Sequence, residues 1–137
     1  MVTLFPVPSP EPMDTKTLRL KAACNALAIS QCFLNKQVCK KASLEADLYD
    51  CQDAMEATRI RREARLTSIH IEQYERTCQG LKREVWGLCV TVPCHLLASD
   101  GKSNWVIDVQ PRTVTCDPVQ GLESAAGWAN YNWGRRP

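Results

Sequence analysis

Between residues 13 and 79 the chain has neither proline nor glycine, and over that length the absence of both predicts helix. Apolar residues recur inside the stretch at helical spacing. Ile71, Tyr74, Cys78, Leu81, Val85 and Leu88 follow one another at intervals of 3, 4, 3, 4 and 3, which places them in a single seam. Leu44, Leu48, Cys51 and Met55 repeat the rule at 4, 3 and 4. Leu20, Cys24, Leu27, Leu34 and Val38 share a face that Gln31 interrupts. Each stripe reads as core packing between helices.

A single helix of that length would span about 100 Å, too long for a chain of 137 residues, so breaks are expected. Asp14 or Thr15 can cap a first helix running to about Lys41. Ser43, followed by Glu45 and Asp47, can cap a second. Thr67 or Ser68 can cap a third that ends near Gly87. After Gly87 the pattern changes. The segment VTVPCHLLASDGKSNWVIDV places β-branched residues on either side of Asp100-Gly101, which predicts a β-hairpin. Pro93 restricts its first strand to an edge.

The two ends follow neither period. Prolines at 6, 8, 10 and 12 make residues 1–13 an extended arm. Beyond Cys116, the aromatic residues Trp128, Tyr131 and Trp133 sit among Gly and Asn without periodicity, and the tail reads as a segment that docks on a partner. The division expected is therefore a Pro-rich arm (1–13), a cysteine-rich helical domain (14–89) and a β-hairpin with aromatic tail (90–137). The fold class is mainly α: a disulfide-stapled antiparallel helical hairpin or three-helix bundle with a short C-terminal β-hairpin and an irregular tail.

Composition alters this picture in one respect. The apolar fraction of 45%, the charged fraction of 23% and the net charge of +2 are ordinary, and so small a basic excess argues against a dedicated nucleic-acid binder. Eight cysteines are not ordinary. They are Cys24, Cys32, Cys39, Cys51, Cys78, Cys89, Cys94 and Cys116, an even number that suggests a disulfide framework or metal ligation. On a helix, Cys24, Cys32 and Cys39 fall within about 80° of one another, and Cys78 and Cys89 within about 20°. The N-terminal MVTLFPVPSPEPMD lacks the basic and apolar regions of a secretory signal, and no apolar run suffices to span a bilayer. A mature secreted domain, a protein imported without a cleaved signal and a zinc protein remain as readings.

Cysteines on facing helices, no cleavable presequence and apolar residues a turn away resemble the coiled-coil-helix-coiled-coil-helix (CHCH-like) proteins of the mitochondrial intermembrane space. Trp86, three residues before Cys89, resembles the aromatic contact that the oxidase of that compartment recognises. The resemblance covers residues 20–90, and the spacing departs from the family's nine intervening residues: here they number seven, six, eleven and ten. It implies a non-catalytic, cofactor-free accessory subunit of a respiratory-chain or related inner-membrane complex, peripheral to the membrane on the intermembrane-space side. Within such a framework the expected bridges are Cys51 to Cys78 and Cys94 to Cys116. The partners expected are other subunits of a large complex, with no small-molecule substrate and no nucleic acid.

Two rival chemistries compete with the staples. Cys89, Cys94, His95 and Cys116 supply three thiolates and an imidazole, a permissible zinc set, which would make the chain a zinc-binding structural module of a ribonucleoprotein. A secreted disulfide-rich binding domain is the other alternative. The basic run RIRREAR, with Arg59, Arg61, Arg62 and Arg65, is a candidate contact for a membrane surface or an acidic partner, or a solvated helix face paired to Glu56 and Glu63. No phosphate-binding glycine loop, nucleophile elbow or His-acid metal motif occurs, so no catalytic residue is assigned.

Overall fold

The computed structural model describes residues 15–119. The Pro-rich arm and the aromatic tail bearing Trp128, Tyr131 and Trp133 lie outside the described residues. The chain forms two long helices, α1 (Thr15–Asp50) and α2 (Ala54–Leu88), followed by strands β1 (Cys94–Ser99), β2 (Asn104–Val109) and β3 (Val114–Pro118). The strands make one antiparallel sheet in the order β1-β2-β3.

The helical region therefore has one break rather than two, which corrects the three-helix alternative. Lys41, Ala42 and Ser43 lie within α1, because nothing there stops a helix and α2 supports that level. Lys40 reaches across to Glu63 at 3.7 Å. The break falls at residues 51–53, where Asp53 adopts extended backbone and its carboxylate accepts a hydrogen bond from the Met55 N–H at 3.1 Å. Glu56 adds an acidic residue in the first turn of α2, where the helix dipole favours it. So short a connection folds the helices antiparallel. Nor does Thr67 cap a helix. It is buried inside α2, and its hydroxyl donates to the Glu63 carbonyl one turn back at 2.9 Å, which satisfies it within the helix.

Each helix is about 50 Å long, but the core occupies only one end of the hairpin. Cys24, Leu27, Ala28 and Leu34 of α1 meet Cys78, Val85 and Leu88 of α2 there, and the sheet closes over both. Of the expected seam, Cys78, Val85 and Leu88 are buried in this core, and Ile71, Tyr74 and Leu81 pack against it partly buried. In the first stripe Cys24, Leu27 and Leu34 are buried, whereas Val38 is 49% exposed because the core stops short of it.

The hairpin at Asp100-Gly101 forms where expected, pairing Cys94–Ser99 with Asn104–Val109, and β1 is an edge strand that starts immediately after Pro93. Gly101 takes φ +95°, a conformation that costs glycine little. The Asp100 carboxylate accepts the N–H groups of Lys102 and Ser103 and, through Oδ2, the indole N–H of buried Trp105 at 3.0 Å. These donors, Ser103 first, hold its carboxyl down at about 2. The third strand, not expected from the sequence, adds Val114 and Cys116 to the core. The sheet is fastened to the helices at both ends. Asn25 Oδ1 accepts the Ser99 N–H at 3.0 Å, and the Trp86 indole N–H donates to the Gln110 carbonyl at 3.2 Å.

Candidate functional site: a thiol cluster at the base and an apolar tip

Alternation along the strands decides which side chains meet the helices. Cys94, Leu96 and Ala98 of β1 share a face with Trp105, Ile107 and Val109 of β2 and with Val114 and Cys116 of β3, and this face carries the buried residues. Cys24 approaches it from α1 and Cys89 from the end of α2. Four cysteines from four elements thus gather at the base of the hairpin. The Sγ atoms of Cys89 and Cys94 are in contact at 3.9 Å.

The environment suppresses thiolate formation throughout this cluster. Burial pushes the thiols of Cys24, Cys89 and Cys116 up to about 12. Like-charge neighbours add to the effect: Cys89, Cys116 and Cys94 around Cys24, Cys94 beside Cys89, and Asp117 beside Cys116. Burial also raises Cys94, although the S–H donated by Cys89 draws it back. Cys78 is raised by burial against the pull of Lys82.

His95 does not join the cluster. Neighbours along a strand point to opposite faces, so His95 turns away from Cys94 and Cys116 and places Nε2 at 3.1 Å from Asp108 Oδ1 on the adjacent strand. The zinc set Cys89, Cys94, His95 and Cys116 is therefore not assembled, and among the described residues no group of three or more His, Cys, Asp or Glu side chains is placed to hold a metal ion.

The two expected bridges are not formed either. Cys51 lies at the hairpin turn, where its Sγ contacts the Asp53 carbonyl at 3.3 Å. Cys78 is about 36 Å further along α2 at the helical rise per residue, against a bridgeable Cα separation of roughly 4–7 Å. Cys94 and Cys116 share a face, but β2 lies between them and their registers differ by two residues. That puts their Cα atoms about 12 Å apart from strand spacing and rise. Cys32 is half-buried and Cys39 exposed, so the cysteine stripe of α1 runs out of the core with distance from the sheet.

The other end of the hairpin has different chemistry. Tyr49 and Met55 flank the turn and are 90% and 81% exposed. Between residues 42 and 58 there are five acidic residues, Glu45, Asp47, Asp50, Asp53 and Glu56, and no Lys or Arg. The tip is an apolar knob in an acidic collar. The basic run begins one turn later. Arg59 is held by Glu56 and Glu63 of its own helix, with its Nε at 3.2 Å from Glu56. The Arg59 guanidinium lowers the Glu56 carboxyl. Arg61, Arg62 and Arg65 are exposed and fall within about 100° of one another around α2, so three of the four arginines share a side. A second basic region lies at the base, where Lys82, Arg83 and Arg112 line an open cleft with Trp86 and Pro111.

Comparison with protein-family models, with curated proteins and with solved structures finds no match to this chain.

Proposed function

We propose that the protein is a non-catalytic accessory subunit that inserts the tip of its helical hairpin into a larger protein assembly. The supporting observation is the tip: two large apolar side chains almost fully in solvent, inside a collar of five acidic residues. Exposed aromatic and Met side chains of this kind are over-represented where proteins bind one another, and the collar selects a partner pocket with a basic rim. The division of labour along the hairpin agrees with that role. The base holds the core, while Ala57, Ile60 and Thr67 are the buried residues of the outer half of α2. The exposed side of Arg61, Arg62 and Arg65 offers a second contact for an acidic partner or anionic headgroups. The compartment proposed, the intermembrane-space side of the mitochondrial inner membrane in a respiratory-chain or related complex, comes from the family resemblance.

The experiment is native sizing of the tagged full chain expressed in its source cells, beside the double variant Tyr49→Ala with Met55→Ala. The wild type is expected in a high-mass assembly that salt weakens. The variant is expected as a folded monomer, since both side chains lie in solvent and contribute little to the fold. A wild type found only as free monomer would count against the reading.

A further inference from the structure

The sulfur atoms of Cys89 and Cys94 are in contact at 3.9 Å, across a connection of only four residues between the C-cap of α2 and the start of β1. Cys89 is the C-cap of α2, extended at φ −72° and ψ 132°, with its N–H on the Val85 carbonyl at 3.0 Å. Cys94 opens edge strand β1, and residues 90–93 between them belong to no helix or strand. Both side chains are half-buried, which keeps them reachable by a small molecule, whereas Cys24 and Cys116 beside them are buried. A disulfide needs its sulfurs about 2 Å apart, so from the 3.9 Å contact a gap of about 2 Å remains to be closed.

We propose that Cys89 and Cys94 are a dithiol-disulfide site, oxidised by thiol exchange with a low-molecular-weight disulfide to a bridge that locks the end of α2 onto β1. In the first step the Cys94 thiolate attacks one sulfur of oxidised glutathione. A mixed disulfide forms and one glutathione thiolate leaves. In the second, Cys89 gives its proton to solvent and attacks the Cys94 sulfur, expelling the second glutathione. Two protein thiols are oxidised and one glutathione disulfide is reduced to two thiols. Cys94 is the attacking sulfur because, although burial raises its thiol, the S–H of Cys89 draws it back, whereas burial and Cys94 both raise Cys89. Cys89, held up near 12 by burial, attacks slowly and leaves slowly. The site does not depend on the assembly reading, because its chemistry involves no partner.

The test uses the isolated full chain, reduced, desalted and incubated with oxidised glutathione, then alkylated under denaturing conditions and mapped by peptide mass spectrometry. The expected product is a cross-linked peptide joining Cys89 and Cys94, with no glutathione left on either. In Cys89→Ser the same treatment is expected to leave a glutathione adduct on Cys94. Overturning results are Cys89 and Cys94 both recovered as alkylated thiols, a persistent adduct on Cys94 in the wild type, or links running mainly to Cys24 or Cys116. The wild-type map decides the question even if the variant does not fold.

Discussion

Replacing Ala42 or Ala54 by proline tests where the helical region breaks, because the two positions make opposite demands on the same substitution. Both alanines are exposed, so neither change removes core contacts. Ala42 lies inside α1, where proline loses a hydrogen bond and its ring clashes with the carbonyl one turn back, at a cost of about 3 kcal/mol or more. Ala54 is the first residue of α2, directly after the Asp53 cap, where the amide needs no helical partner and proline is favoured. The preceding ψ of 122° at Asp53 is the extended conformation that a following proline requires. Ala54→Pro is thus expected to be neutral or to stabilise by roughly 0.5–1 kcal/mol through the unfolded chain. The difference of about 3–4 kcal/mol between the variants is large beside a typical domain stability of 5–15 kcal/mol. Urea unfolding followed by far-UV circular dichroism, under reducing conditions, measures it. If the outer arm of Ala42→Pro melts separately, the loss appears as reduced native helicity before the main transition. Ala42→Pro matching the wild type, with Ala54→Pro as the damaging change, would restore the break to residues 41–43 and refute the two-helix hairpin.

Other consequences can be checked with the same material. Leu27→Ala removes a side chain with no exposed surface at the junction of both helices and the sheet, and should cost about 2–5 kcal/mol in the same urea experiment; a loss under about 1 kcal/mol would deny the base its core. In native alkylation with iodoacetamide near pH 8, exposed Cys39 should react readily, while buried Cys24 and Cys116, raised to about 12 from 9.0, should react about 1,000-fold more slowly than they do in the unfolded chain from thiolate population alone; equal native and unfolded rates would place them outside the core. The Asp100 carboxyl is depressed to about 2 from 3.8, so its contribution to the turn is complete above pH 3.8 and is lost as pH falls through about 2. Monitored by the indole N–H resonance of Trp105, the turn should persist at pH 3 and Asp100→Asn should abolish that titration; a midpoint near 4 would contradict the hydrogen bonds drawn to this carboxylate.

The parts of the fold that were legible in the sequence are those governed by a local rule repeated often enough to be seen. The Ile71–Leu88 seam places six residues at helical spacing, three of them buried in the core and three packed against it. Asp100-Gly101 marked the hairpin because few residues other than glycine tolerate the positive φ needed there. The helix break was misplaced although its signal was present. Asp53 is followed three residues later by Glu56, the arrangement of a capping box, whereas Ser43 has Ala46 at the matching place. β3 escaped notice because it contributes only Val114 and Cys116 to the core before Pro118 ends the strand, too few for alternation to register. The cysteines were harder still. Helical spacing assigns a residue to a face but not to a height, so Cys51 and Cys78 looked like partners although one lies at the tip and the other near the base. His95 looked like a fourth ligand because it adjoins Cys94 in sequence, yet adjacency in a strand is what sends it to the other face. The Cys89–Cys94 contact depends on how α2 ends and how the sheet folds back, and neither was fixed by spacing.

Cross-linking mass spectrometry on the native assembly, with a lysine-reactive reagent, tests the docking role most directly. Lys36, Lys40 and Lys41 lie on the outer half of α1, and Lys102 lies in the turn of the β-hairpin at the base. The account predicts that links to other proteins concentrate on the three arm lysines while Lys102 links mainly within the chain. Inter-protein links confined to Lys102, with the arm lysines linking only within the chain or not at all, would contradict it.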